Sequence, residues 1–313
     1  MRVVISEFMD AGAVAHLAAR HDTLYDAKLV DRPEALRQGL AAADALIVRN
    51  RTQVNADLLA AAPRLRIVGR LGVGLDNIDI GACATRRIEV IPATGANALA
   101  VAEYVVAAAM LLLRGAWAST AAVANGEWPR AALSGGREIA GKTLGIVGFG
   151  GIGRLTARLG RAVGMRTVGC DPALPPSSGV WAEECVEPRD VATLLAEADV
   201  VSLHVPLVAA TRNLIDAARL AQMKRGAVLI NTARGGVVDE AAVAAALRSG
   251  QLGGAALDVY AREPLPAGSP LAGCPNLLLT PHIAGVTAES NVRVSTMIAE
   301  RVVAALERPQ GAG

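Results

Sequence analysis

The chain has 313 residues, with 31 basic and 29 acidic side chains and a formal charge of +2. That near balance, with basic residues scattered along the chain, gives no footprint for nucleic acid. Hydrophobic residues make up 52%, but much of this is alanine, and the longest strongly apolar stretch, Val105 to Leu113, is far shorter than the roughly 20 residues a bilayer span needs.

The N-terminal MRVVISEFMD is interrupted by Glu7 and Asp10, so it does not read as a secretory signal, and a cytoplasmic protein is expected. The length suits two domains of about 100–200 residues each. From Arg2 on, β-branched runs alternate with alanine-rich amphipathic stretches: VVIS, a helical pattern around Met9 to Arg20, ALIVRN at 45–50, RLRIVGR at 64–70 and IEVIP at 88–92. This alternation predicts an α/β domain on a largely parallel sheet. Asn97 to Arg114 then form one long helix pattern, apolar around most of its circumference except at Glu103, which must be covered on several sides. It serves as an interdomain core helix or a subunit-interface helix, and a homodimer is expected.

Polar loops at 125–130 (NGEWPR) and 134–138 (SGGRE) precede a second alternating series. Its six strand candidates are TLGIVGFG, MRTVGCD, VVSLHVP, AVLINTA, GAALDVY and NLLLTPH. The expected fold is α/β, two Rossmann-like doubly wound parallel-sheet domains. The last helix pattern, Ala288 to Leu306, is placed to return to the first domain and make it discontinuous. Cys83, Cys170, Cys185 and Cys274 show no C-x-x-C pair and no metal-like cluster, so reduced thiols and no bound metal are expected.

Gly148-x-Gly150-x-x-Gly153 lies between an apolar strand and a helix, the context that gives this pattern meaning. Gly148 allows a tight turn, Gly150 lets the backbone approach a pyrophosphate, and Gly153 lets the helix pack closely on the strand. The helix N-terminus offers N–H groups to phosphates, and Arg154 could add a charge. The next strand ends in Asp171, 18 residues past Gly153, where a carboxylate accepts hydrogen bonds from ribose hydroxyls and repels a 2′-phosphate. The cofactor expected is NAD.

Ligands bind at the carboxyl ends of strands in such a sheet, and three later strands deliver a charge there. AVLINTA leads into Arg234, ALDVY is followed by Glu263, and LLLTP runs into His282. Oxidising a 2-hydroxy acid requires a group that takes a proton from the C2 oxygen near neutral pH, which suits histidine, with a carboxylate to orient the ring. A guanidinium gives the substrate carboxylate a bidentate donor that keeps its proton.

These residues, with RLGVGLDNID at 70–79, GANALAVAEY at 95–104, SLHVPL at 202–207, INTARGGVVDE at 230–240, ALDVYAREPLP at 256–266 and TPHIAG at 280–285, resemble the D-isomer-specific 2-hydroxyacid dehydrogenase family. That family includes phosphoglycerate dehydrogenase and glyoxylate/hydroxypyruvate reductase. The resemblance implies that Arg234, Glu263 and His282 are catalytic. It implies that Leu71, Gly72, Val73 and Gly74 present N–H groups to the substrate carboxylate near Asn97. It assigns to the cofactor Gly148, Gly150, Gly151, Ile152, Gly153, Asp171, His204, Val205, Pro206, Thr211, Thr232, Ala233, Asp258 and Gly285, with Asp258 at the nicotinamide amide. It also implies a substrate domain of residues 1–98 and 286–313, an NAD domain of residues 99–285, and catalysis in a cleft that closes by hinge motion. A chain of 313 residues leaves no room for the C-terminal regulatory domains of longer relatives, so serine-type feedback is not expected.

Arg49 and Arg51 follow a first-domain strand, where two guanidinium groups could hold a second anion on the substrate. With Arg70 and Arg130 they resemble the (S)-sulfolactate dehydrogenase subgroup of the same family. Phosphoglycerate and malate-like acids fit the same reading; glyoxylate and hydroxypyruvate, which carry no second anion, remain an alternative. A cofactor-sensing binding module of the same fold is the alternative outside metabolism.

Overall fold

Strands that are apolar at every position need cover on both faces, and the chain provides it twice. A computed structural model describes residues 1–308, which form two units: Met1–Asn97 together with the described residues from Val286 on, and Ala98–Gly285.

The first unit carries a parallel sheet of β1 (Arg2–Ile5), β2 (Asp22–Tyr25), β3 (Ala45–Val48), β4 (Ile67–Arg70) and β5 (Glu89–Pro92), in the order β2-β1-β3-β4-β5. One face is closed by Leu36, Leu40, Leu58, Leu59 and Cys83, the other by Met9, Leu17 and the C-terminal helix Ala288–Glu307 through Val294, Ile298, Val302 and Leu306. That helix lies so near the sheet that a Cβ on Gly69 of β4 would come within 2.9 Å of Ile298. Thr287 starts it by accepting the Ser290 N–H at 3.0 Å. The edge strand β2 lacks a sequence signal because Asp22 and Tyr25 are exposed and Thr23 and Leu24 only half-buried.

The second unit adds seven parallel strands: β6 (Thr143–Val147), β7 (Arg166–Cys170), β8 (Glu187–Pro188), β9 (Val200–Leu203), β10 (Ala227–Asn231), β11 (Leu252–Leu257) and β12 (Leu277–Leu279). Their order is β12-β11-β10-β9-β6-β7-β8, so the chain winds one way from β6 through β8 and the other way from β9 through β12. The direction reverses between β6 and β9, the switch point where such sheets bind ligands. Six strands were expected; the seventh, β8, is two residues long and ends in a proline, which only an edge tolerates.

The helix Ala98–Arg114 buries Val105, Ala108, Ala109, Leu112 and Leu113 against this sheet. Ala98, Ala100, Val101 and Ala102 are buried as well, so the first half of the helix is covered on more than one side, while Leu99, Met110 and Leu111 are exposed. Among the described residues no helix is long and apolar enough to cross a membrane, and no cluster of potential metal ligands occurs. All four cysteines are free thiols, and burial pushes Cys170 up to about 12, leaving it an inert core residue.

Candidate active site

In the second unit the loops of interest leave the carboxyl ends of β6, β7, β9, β10, β11 and β12 at one edge of the sheet. Gly148 turns the chain with φ +94°, and a Cβ there would come within 2.6 Å of the His204 carbonyl oxygen. A Cβ on Gly153 would overlap the Gly148 carbonyl, so this glycine is required for the helix Gly151–Ala162 to start where it does. Gly150 and Gly151 face open space. Gly150 caps the helix without a side-chain bond, which leaves first-turn N–H groups for an anion.

Asp171 ties this loop to β7. Its Oδ2 accepts the Phe149 N–H at 2.7 Å and its Oδ1 the Ala173 N–H at 2.8 Å, which sets the carboxylate beside the glycine turn. Arg154 turns back and donates to the Phe149 carbonyl at 3.3 Å. Thr232, just after β10, has a buried hydroxyl with no partner, a group that a bound ligand would satisfy. An open glycine turn, a carboxylate at the end of β7 and an orphaned hydroxyl together fit a dinucleotide.

His204 bonds Ser202 Oγ through Nε2 at 2.9 Å, and burial holds it down to about 4, so the ring is neutral. Val205 is buried and Pro206 exposed. The Thr211 hydroxyl donates to the Pro206 carbonyl at 2.5 Å and accepts the Val208 N–H at 2.8 Å, which shapes the loop.

Glu263 and His282 meet: Oε2 lies 2.8 Å from Nδ1, while Oε1 accepts the Tyr260 N–H at 3.1 Å. The carboxylate therefore selects the tautomer with hydrogen on Nδ1, and Nε2 has no partner among the described residues. His282 has φ +57°, a left-handed backbone uncommon outside glycine, and its side chain is half-exposed.

The strain is held by Asp258, which is 1% exposed. Its Oδ1 accepts the Thr280 hydroxyl (2.6 Å) and the Ile283 N–H (2.8 Å), its Oδ2 accepts the Ala284 N–H (2.8 Å), and its carbonyl accepts the His282 N–H (2.9 Å). Asp258 is thus first an organiser of residues 280–284, with one acceptor direction left on Oδ2. Tyr104 joins the same network at 2.6 Å from Thr280 Oγ1. Neither Thr280 nor Tyr104 was singled out in the sequence, although Thr280 stands inside the TPHIAG motif.

Arg234 is half-buried and donates to the Ala233 carbonyl at 2.6 Å. Buried Asn231 shapes its turn by donating to the Arg234 carbonyl at 3.0 Å and accepting the Ala233 N–H at 3.1 Å. The following Gly235 lies against Tyr260 so closely that a Cβ would overlap the Tyr260 carbonyl. The arginine loop and the Glu263 loop are therefore in backbone contact.

In the first unit Leu71 and Gly72 have their N–H groups taken, by the Val48 and Arg70 carbonyls at 2.8 Å each. Of the four residues expected to meet a carboxylate, Val73 and Gly74 keep N–H groups without a partner among the described residues. Asn97 Oδ1 is buried and unpartnered. Arg49 and Arg51 diverge: Arg51 is ion-paired with Asp31 on the surface, whereas Arg49 donates to Asn291 Oδ1 at 2.6 Å. Arg130 is exposed in the loop at 125–130, and Arg70 donates to the Leu71 carbonyl at 2.8 Å.

Residues 106–284 match the family described as D-isomer specific 2-hydroxyacid dehydrogenase, NAD binding domain. The chain belongs to this family. The dehydrogenase is 54% identical over 305 residues to (S)-sulfolactate dehydrogenase of Chromohalobacter salexigens, covering 97% of this chain and 98% of that one. It is 41% identical over 299 residues to D-3-phosphoglycerate dehydrogenase of Mycobacterium tuberculosis, covering 95% of this chain but 56% of that longer one. Its fold is similar to the crystal structure of TT0316 protein from Thermus thermophilus, with TM-score 0.86, 34% identity and coverage of 98% and 97%. The dehydrogenase is an oxidoreductase, and its cofactor is NAD.

Proposed function

We propose that this dehydrogenase interconverts a 2-hydroxy acid and its 2-oxo acid when the acid carries a second anionic group, with 3-sulfolactate as the first candidate and 3-phosphoglycerate as the next. The observation that carries the reaction type is the pair of Glu263 Oε2 and His282 Nδ1 at 2.8 Å, which leaves Nε2 to take a proton.

His282 Nε2 removes the hydroxyl proton from the substrate, while Glu263 holds the opposite ring nitrogen and stabilises the imidazolium that results. NAD, when bound, would supply the acceptor for the hydride from C2. Arg234 pairs with the substrate carboxylate and holds the acid for transfer. Of the first unit's own groups, the N–H groups of Val73 and Gly74, Asn97 and Arg49 are the ones assigned to substrate anions, Arg49 to the second anion. Asp171 accepts hydrogen bonds from the ribose hydroxyls and disfavours a 2′-phosphate, and Asp258 Oδ2 has an acceptor direction left for the nicotinamide amide. Gly148 to Gly153 cradle the pyrophosphate, and Thr232, Ala233 and the residues from His204 to Pro206 line the cofactor's groove, with Thr211 and Gly285 shaping its margins.

Two observations support the second anion. Arg49 has no carboxylate within ion-pair distance among the described residues, unlike Arg51, and a relative at 54% identity is named for a sulfonated hydroxy acid. Purified enzyme with NAD or NADP and a panel of 2-hydroxy acids tests the proposal by NADH absorbance. Preference for NAD and for a doubly anionic acid is expected; no reduction with any acid would favour the cofactor-sensing module. Arg49→Ala should lower kcat/KM on sulfolactate relative to lactate by about 10- to 100-fold, the equivalent of one hydrogen bond to a charged group at about 1.5–3 kcal/mol. An unchanged ratio would remove the second anion from the reading.

We also propose that the enzyme is a cytoplasmic homodimer. Free thiols suit a reducing compartment. Leu99, Met110, Leu111, Trp117, Val123 and the 78%-exposed Trp128 form an unusual concentration of large exposed apolar side chains on one helix and the segment after it, of the kind that association covers. Light scattering should give twice the chain mass; a monomer at micromolar concentration would refute the assignment.

A further inference from the structure

Glu7 is 4% exposed, and its carboxylate accepts four backbone N–H groups from one loop. Oε1 takes those of Arg49 (2.9 Å) and Thr52 (3.0 Å), and Oε2 those of Asn50 (3.3 Å) and Arg51 (3.1 Å). With two donors on each oxygen the carboxylate is saturated, so it has no capacity left for proton transfer or for a ligand. What it does is wrap residues 49–52 around a single fixed charge. The donors more than offset its burial and hold the carboxyl below the usual range, so it stays ionised at neutral pH.

The wrapped loop is locked from two further sides. Ser6 Oγ lies 2.8 Å from Thr52 Oγ1, and Asn77, on the segment that follows the Leu71 to Gly74 turn, donates to the Arg49 carbonyl at 3.3 Å and the Thr52 carbonyl at 2.7 Å. The two loops assigned above to substrate anions are therefore stitched together at the carboxyl ends of β3 and β4. Beyond the backbone, the Arg49 guanidinium lies over the Phe8 ring at 5.7 Å and donates to Asn291 Oδ1. Phe8 is the residue next to Glu7, so one short segment after β1 grips both the backbone and the head group of Arg49.

We propose that Glu7 is a positioning residue for substrate selection: it builds the 49–52 loop so that Arg49 is held rigid, with its charge available to the second anion of the substrate. The inference rests on the reading that Arg49 meets that anion. The arrangement separates two neighbouring arginines by function, since the same loop turns Arg51 out to Asp31, where its charge is already balanced. The Glu7 charge, meanwhile, goes to N–H groups and forms no ion pair with Arg49.

The test is the ratio of kcat/KM on sulfolactate to kcat/KM on lactate, in which any loss common to both substrates cancels. Glu7→Gln keeps the shape but turns an acceptor into an NH2 group facing N–H donors. The ratio should fall at least five-fold, through KM on sulfolactate. Glu7→Asp, which keeps the charge and shortens the reach, should fall between Gln and the parent, and it carries the test if Glu7→Gln does not fold. A ratio unchanged in the foldable Glu7 variant, with Arg49→Ala still lowering it, overturns the role of Glu7 and leaves the second-anion reading standing. A ratio unchanged in Arg49→Ala overturns both.

Discussion

His282→Asn should lower kcat on every accepted 2-hydroxy acid by about 10²- to 10⁴-fold, the range for losing a positioned general base, while the affinity for NAD stays near that of the parent. Asparagine is the informative choice for two reasons. Position 282 has φ +57°, which asparagine adopts more readily than most residues, so the backbone is not the cause of any loss. Its amide can also replace the ring Nδ1–H as a donor to Glu263 Oε2, which keeps the neighbouring loop in place. Only Nε2, the proposed proton acceptor, is removed. Stopped-flow turnover with NADH fluorescence titration separates the two quantities. A kcat within ten-fold of the parent would mean that another group carries the proton.

Gly235→Ala should be severely damaging. The added Cβ would overlap the Tyr260 carbonyl and come within 2.7 Å of the Ala261 nitrogen, and neither backbone group can swing away like a side-chain tip. Tyr260 cannot retreat without consequence. Its N–H supports Glu263, its hydroxyl bridges the Leu257 and Thr280 carbonyls at 2.9 Å, and Ala261 is anchored to Glu240 at 2.7 Å. Relief therefore moves the arginine loop, the glutamate loop and the segment leading to His282 together. Overpacking of this kind costs about 3 kcal/mol, and a displacement of about 1 Å among reacting groups costs about 10² in rate. Denaturant unfolding and kcat should both show the loss. Gly135→Ala, where a Cβ meets open space, should unfold like the parent. If Gly235→Ala kept full turnover, the proposed coupling between the two loops would be wrong.

Much of the fold is legible because parallel strands such as Ala45–Val48 and Ala227–Asn231 are buried at every position and apolar at all of them but Asn231, and a run of that kind between turn signals has few alternatives. β2 and β8 are illegible for the opposite reason: edge position removes the need for continuous burial, and two residues carry no period. The helix Ala98–Arg114 shows a different limit, since alanine-rich composition reveals that a helix needs cover but not on which faces.

At the candidate site, charges delivered by successive strand ends singled out Arg234, Glu263 and His282 in sequence order, and Glu263 and His282 do pair. Hydrogen-bond occupancy was not visible. That Leu71 and Gly72 have no N–H to offer depends on the carbonyls of Val48 and Arg70, and that Asp258 organises a loop depends on residues 22 to 26 positions away. The split between Arg49 and Arg51 is set by Glu7, 42 and 44 positions earlier, and such distances leave no local pattern.

The C-terminal helix on β4 has a consequence for how the chain is made. Ile298 and Val302 press against Gly69, so the sheet that emerges first from the ribosome lacks part of the cover on that face until residues 288–307 appear. The second unit has its own core and every strand of its sheet in one stretch of sequence. During synthesis, where domains otherwise fold from the N-terminus onward, the order is inverted here: the part made second completes first. The earlier part waits for the helix that shares its core with Ile47, Ile67 and Ile91.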